Sequence, residues 1–106
     1  MKFYPIRITH RDQLWELALR SKAHWKYPVQ YLEAARDGLK LSALQIGQGW
    51  GEIAATPEQW LGYYFILPSF SHCQLEHLWV EPDWIGKGVG GKLLEQAIQS
   101  VRNAGF

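Results

Sequence analysis

Apolar positions along this chain change period several times, and each change marks an element. Residues 3–8 alternate as a short strand. Pro5 cannot donate to a ladder, so this strand lies at a sheet edge or begins at the proline. From 10 to 22 the period becomes helical, with Leu14, Leu17 and Ala18 on one face and Trp15 and Leu19 beside them. Thr9 stands where an N-cap is expected. The run His24, Trp25, Lys26, Tyr27, Pro28 turns, because a residue before proline avoids the helical region. A second helix over 29–37 then stops at Gly38. Residues 39–49 fit one helical turn, capped by Ser42, carrying Leu44 and Ile46 and ended by Gly47 and Gly49.

Three strands follow. Residues 50–55 and 60–67 are joined by Thr56, Pro57, Glu58 and Gln59, a hairpin-length loop. The run WLGYYFIL does not alternate, so it reads as a central strand covered on both faces. Residues 68–72 turn into a strand over 73–80. There period two puts Leu75, His77 and Trp79 on one face and Glu76 on the other. The predicted order is β-α-α-β-β-β-α: an α/β (α+β) domain on a mostly antiparallel sheet.

Residues 75–106 carry the strongest chemical signal. The strand leads through Pro82 into Gly86, Gly88, Gly90 and Gly91 and then into an amphipathic helix. Leu93, Leu94, Ala97, Ile98 and Val101 form its apolar side, and Gly105 is placed to stop it. A bare backbone loop entering a helix N-terminus aims free N–H groups and the positive dipole end at one point. Such a point suits an anion, most naturally a diphosphate. Gly86, Gly88 and Gly91 fit the dinucleotide pattern G-x-G-x-x-G. That pattern needs an acidic residue about twenty positions on, which this sequence does not contain, and the strands before it look hairpin-connected. Gly86 through Lys92 also match most of a P-loop, but Leu93 stands where the Mg²⁺-holding hydroxyl belongs.

Size and composition narrow the remaining classes. With 106 residues there is room for one domain, 1–106, and no second core. The net charge is +1 with basic residues scattered, so nucleic acid is not an expected partner. No long apolar run suggests a signal peptide or membrane span, and a cytoplasmic location is expected. The single Cys73 excludes an internal disulfide and reads as a small buried hydrophobe. The histidines and Cys73 lack the spacing of a zinc site, so no metal is expected. Six tryptophans are mostly core filler, while Trp79 is placed to cover a cleft.

The stretch from Leu75 to Pro82 followed by Ile85-Gly86-Lys87-Gly88-Val89-Gly90 resembles the acyl-CoA-binding motif of the GNAT superfamily of N-acetyltransferases. Ser21 to Trp25, and Trp60 to Tyr64 in the central strand, are similar to the same family. One departure is Ile85, where the family usually has Gln or Arg. The resemblance implies acetyl-CoA as cosubstrate. Backbone groups of Leu78 and Val80 would hold the pantetheine arm, with Val80 N–H as an oxyanion donor. Ile85, Gly86, Lys87, Gly88, Val89, Gly90 and Gly91 would take the diphosphate. Glu76 matches the strand position of a general base, with a surface carboxylate as its plainer role, and Glu81 is the second candidate. His24 and Tyr27 fall on the acceptor side, while His77 reads as a core or interface histidine.

On this resemblance the family continues past the last helix, so a partial GNAT-like domain lacking the C-terminal strands and helix is expected. Two functions follow: an N-acetyltransferase of a small amine or amino terminus, or a catalytically inactive truncated acyl-CoA-binding or assembly module. An uncovered 73–80 strand implies a homodimer through that strand and the last helix, with Trp84 and Phe106 packing across the seam.

Overall fold

In the computed structural model, which describes residues 1–106, the non-alternating run forms the third strand and is buried on both faces. The strands are β1 (Lys2–Pro5), β2 (Trp50–Ala55), β3 (Trp60–Pro68) and β4 (Cys73–Val80). They form one sheet in the order β1-β2-β3-β4, every pair antiparallel. The helices are α1 (Arg11–Ala23), α2 (Val29–Ala35), α3 (Ala43–Gln48) and α4 (Val89–Asn103). On one sheet face Ile53, Tyr63 and Phe65 pack against Leu14, Leu17 and Ala18 of α1, with Leu39 and Leu41 beside them. On the other, Ala54, Leu61, Tyr64 and Ile66 pack against Val89, Leu93 and Ala97 of α4. β3 needs apolar residues at every position because it supplies both cores. No helix is long and apolar enough to cross a membrane.

Two β-bulges break the period-two pattern. Ala55 pairs with Trp60 and Ala54 with Gly62, so Leu61 is an extra residue. Phe65 pairs with His77 and Ile66 with Leu75, so Glu76 is another. The second bulge corrects the expected face assignment. His77 and Trp79 look toward the α1 side, as contacts with Tyr63 and with the α1 core show. Leu75 instead joins Cys73 and Ile66 on the α4 side. Gly62 lets three elements meet: a Cβ there would lie 2.5 Å from the Trp79 carbonyl oxygen and 2.9 Å from Leu93 Cδ1.

Local polar groups fix the helices. Ser42 caps α3 as expected: its Oγ accepts the Gln45 N–H at 3.0 Å, and Gln45 Oε1 accepts the Ser42 N–H at 2.9 Å. Thr9 does not cap α1. Ile8–His10 form a 3₁₀ turn instead, in which His10 Nδ1 accepts the Arg7 N–H at 3.0 Å. α2 ends at Ala35, short of Gly38, which lies in a second 3₁₀ turn, Asp37–Leu39. α4 is tied to the sheet by Trp50 Nε1 donating to Ser100 Oγ at 2.9 Å. Gln96 Nε2 donates to Glu52 Oε1 at 3.1 Å, and the Tyr64 hydroxyl donates to the same oxygen. Its C-terminus closes as the sequence predicts. The Gly105 N–H reaches Arg102 O at 3.0 Å and the Phe106 N–H reaches Val101 O at 3.2 Å. Leu94 and Ile98 do not join the core; each is 44% exposed.

Candidate active site

β4 and α4 are joined by a turn that leaves backbone donors unused. After Glu81 the chain makes a 3₁₀ turn, Pro82–Trp84, then passes Ile85, Gly86, Lys87 and Gly88 into α4. Gly86 and Gly88 take φ of +81° and +88°, the left-handed region that side chains rarely enter. Gly88 is the N-cap, and its carbonyl accepts the first helical bond, from the Lys92 N–H at 3.2 Å. The N–H groups of Gly86, Gly88, Val89, Gly90 and Gly91 donate to no backbone or side-chain acceptor. Open space lies beside three of these residues, since a Cβ on Gly86, Gly88 or Gly91 would meet nothing within 4 Å, while one on Gly90 would touch Val80 Cγ2 at 3.7 Å.

The outer edge of β4 supplies a second set of unpaired groups. Glu81 N–H donates to Leu61 O at 2.8 Å, so Glu81 faces β3. In an antiparallel strand alternate residues face the partner. Trp79 therefore also faces β3, and the N–H and C=O of Leu78 and Val80 point outward. Beside this edge lies a cleft of about 270 Å³ lined by Leu78, Trp79, Val80, Ile85, Gly86 and Gly90, closed on the far side by Ser21 and Trp25 of the α1 end. The structure thus brings five of the nine expected cofactor residues to one wall. Gly88 and Gly91 lie at the helix start beside it. Lys87 stands over the Trp84 ring at 5.3 Å, and Val89 is buried in the α4 core. Ser21 and Trp25 stand outside the expected set of site residues. Ser21 lies in the last turn of α1 and Trp25 in the turn that follows it, and only tertiary packing shows that both meet β4.

The carboxylates differ in availability. Both oxygens of Glu81 are held by Arg20, with Nε to Oε1 at 2.7 Å and Nη2 to Oε2 at 2.9 Å. This pairing raises the Arg20 pKa further above its ordinary value, the hydrogen bond to Glu81 being the main cause. Glu76, at the bulge, is half-buried and has neither hydrogen-bond nor ion-pair partner. It does not line the β4-edge cleft. His24 is exposed and stacks edge-on against Trp25 with ring centres 5.1 Å apart. Tyr27 leans on Tyr31 at 4.8 Å. Neither lines the cleft.

His77 is buried, and Trp79 Nε1–H donates to its Nδ1 at 3.0 Å, which fixes the neutral ring with its proton on Nε2. Burial lowers the His77 pKa, partly opposed by the charge of Glu76. A lowered folded-state pKa means the fold prefers the neutral ring. His77's stability contribution is therefore present above the ordinary histidine value of about 6.5 and is lost as pH falls through that value toward the folded one. His10, also lowered by burial, acts in the same direction. Thermal unfolding between pH 7.5 and 5 should show a falling Tm, less steep in His77→Gln. An equal slope in the variant would assign the effect to other groups.

The profile of the acetyltransferase (GNAT) family matches residues 11–106. The chain belongs to the GNAT family of acetyltransferases. Among solved structures, the chain is similar to a PaiA N-acetyltransferase from Thermoplasma acidophilum in complex with coenzyme A. The identity is 18%, the TM-score 0.74, and the match covers 99% of this chain and 75% of that one. It is similar to a GCN5-related N-acetyltransferase from Rhodopseudomonas palustris at 18% identity and TM-score 0.74, covering 99% and 68%. A GNAT acetyltransferase from Brucella melitensis in complex with acetyl-CoA matches at 20% identity and TM-score 0.71, covering 98% and 70%. At these identities the likeness is one of fold. Among curated proteins, none matches this chain.

Proposed function

We propose that this chain transfers the acetyl group of acetyl-CoA to the nitrogen of a small amine or an amino terminus. The observation that carries the reading is the row of unused N–H groups at the start of α4, continuous with the outward-facing backbone of Leu78 and Val80. The first set suits a diphosphate at a helix N-terminus. The second suits an extended chain of amides lying along a strand edge. Two of the similar structures hold coenzyme A or acetyl-CoA by name, which agrees with that ligand. Ile85 contributes apolar wall where a polar side chain is usual in the family, so the cradle here is a backbone one.

Each residue then has a task in the chemistry. Val80 N–H, which faces outward from the strand edge, would donate to the thioester oxygen and stabilise the charge that develops there. Glu76, free of partners, accepts a proton from the incoming ammonium through water, leaving the nitrogen lone pair to attack the carbonyl carbon. The C–S bond breaks as the tetrahedral intermediate collapses, and the departing thiolate takes up the second proton that the nitrogen loses on becoming an amide. Glu81 is tied to Arg20 and serves to hold α1 against the end of β4. A cytoplasmic setting completes the reading and fits the free thiol of Cys73. Steady-state release of CoA thiol from acetyl-CoA with a panel of amines tests it. Turnover above hydrolysis with at least one amine is expected, and release insensitive to every amine would contradict it.

A homodimer is the second part of this reading. β4 pairs only with β3, and a groove of about 320 Å³ below the cofactor cleft exposes Leu75, Leu94, Ile98 and Phe106. A second copy related by a two-fold axis would cover this edge and leave the upper cleft accessible. Trp84 packs on the α4 core of its own chain and remains partly exposed. Sedimentation at micromolar concentration should give a dimer that Ile98→Lys dissociates. A monomer would overturn the homodimer, and a dimer unaffected by Ile98→Lys would place the contact elsewhere.

A further inference from the structure

The last turn of α1 separates two clefts. Ser21 and Trp25 face the β4-edge cleft, while Leu19, Lys22 and Ala23 face another of about 370 Å³ between α1 and α2. The second cleft has an apolar floor that includes Leu32 and Leu39. Its rim is basic, with Arg20, Lys22 and Arg36 against one carboxylate, Glu33. Arg20 is neutralised by Glu81, and the Arg36 guanidinium lies 4.8 Å from the centre of the Trp15 ring. Lys22 has no anion. The ion pairs of the chain are Arg20–Glu81 and Lys40–Asp12, and the Lys22 ammonium makes no hydrogen bond. It is instead bracketed by the rings of Tyr27, Tyr31 and Trp79, at 5.1, 5.0 and 5.8 Å.

Ring faces hold a cation in place without neutralising it. Lys22 is half-buried as a residue, and ring faces stand near its ammonium on the sides of Tyr27, Tyr31 and Trp79. Trp79 links the two clefts, since its ring lies under Lys22 and its side chain also lines the β4 edge. A positive charge without a protein partner therefore stands where the α1–α2 cleft meets the cofactor cleft.

We propose that Lys22 anchors a carboxylate of the acceptor, so that the acceptors of this protein are amines carrying a carboxylate and an apolar body. The body lies on Leu32 and Leu39, the carboxylate meets Lys22, and the amine passes Trp79 toward the β4 edge. This rests on the acetyl-transfer reading above and adds the acceptor class. Tyr27 acquires its expected acceptor-side role through Lys22, as one of the rings that position it. A phosphate of the cofactor has the same chemistry toward Lys22, and the test must separate the two sources.

The probes are phenylalanine and phenethylamine, which differ only in the carboxylate, with CoA release as the readout and calorimetry for acetyl-CoA binding. Loss of a charge-assisted contact of this kind is worth about tenfold or more. The KM for phenylalanine should lie at least that far below the KM for phenethylamine. Lys22→Met should remove the preference, and Lys22→Arg, which keeps the charge, should keep most of it. The acetyl-CoA Kd should stay unchanged in both variants. Equal KM values in the wild type would overturn the proposal while leaving acetyl transfer standing. A weakened acetyl-CoA Kd in Lys22→Met would assign the anion to the cofactor and also overturn it. Acetyl-CoA binding without transfer to either amine, and to no other amine tried, would instead bring down the acetyl-transfer reading.

Discussion

Gly88→Glu should weaken acetyl-CoA binding by about 100-fold or more while leaving the protein folded. The carboxylate would sit at the start of α4 among the N–H groups of Gly86, Val89, Gly90 and Gly91, which have no other acceptor. Two like charges brought together at a binding surface cost several kcal/mol, and about 2.7 kcal/mol already makes two decades. The new side chain has room, because nothing lies within 4 Å of a Cβ built on Gly88. It does carry strain, since φ is +88°, and a left-handed residue other than glycine costs about 1–2 kcal/mol. Gly88→Ala carries the same strain without the charge and serves as the control. Calorimetric titration of both variants measures the difference. Equal loss in the two would mean that loop geometry, and not the anion, is what the glutamate disturbs.

Glu76→Gln should lower kcat by about 100-fold at neutral pH, the usual contribution of a positioned general base. Its KM for acetyl-CoA should stay constant. Because Glu76 makes no hydrogen bond or ion pair, its loss should leave the Tm nearly unchanged, which separates catalysis from folding. The pH–rate profile gives the sharper readout, since the acidic limb belonging to the base should disappear. Glu81→Gln makes the contrast. Breaking a pair whose arginine is 51% exposed should cost no more than about 1 kcal/mol, with a smaller effect on kcat than Glu76→Gln. A Glu76→Gln enzyme with an unaltered pH profile would remove Glu76 from the proton path.

Much of this architecture is written in local pattern. The hairpin from β2 to β3 and the strand over 73–80 follow from apolar runs separated by proline and small polar turns. The double burial of β3 follows from its lack of alternation. Gly105 and Ser42 act where their backbone chemistry places them. The bulges at Leu61 and Glu76 are not legible in the same way. One inserted residue leaves Leu75, His77 and Trp79 still alternating on paper, and only cross-strand pairing shows that Leu75 has changed face. Thr9 lost the cap position because it lies inside the 3₁₀ turn Ile8–His10, which puts His10 at the start of α1. Leu94 and Ile98 look like core because helical spacing reports a face and not what covers it.

The site divides along the same line. The outward-facing backbone of Leu78 and Val80 and the left-handed turns at Gly86 and Gly88 follow from strand parity and from glycine's freedom in φ, both of which are local properties. What Glu76 and Glu81 do depends on partners distant in sequence. Arg20 comes to Glu81 from another element of the fold, and no spacing rule links the two. Lys22 with Tyr27, Tyr31 and Trp79 is likewise a product of packing, assembled from the end of α1, the loop after it, α2 and β4.

Titration of the intact chain with acetyl-CoA, read by calorimetry and by thermal unfolding, tests the central claim most directly. The account predicts saturable binding of one acetyl-CoA per chain. At a hundredfold excess over Kd the folded state should gain about 2.7 kcal/mol, seen as a rise in Tm. No heat of binding and no change in Tm at millimolar acetyl-CoA would contradict it.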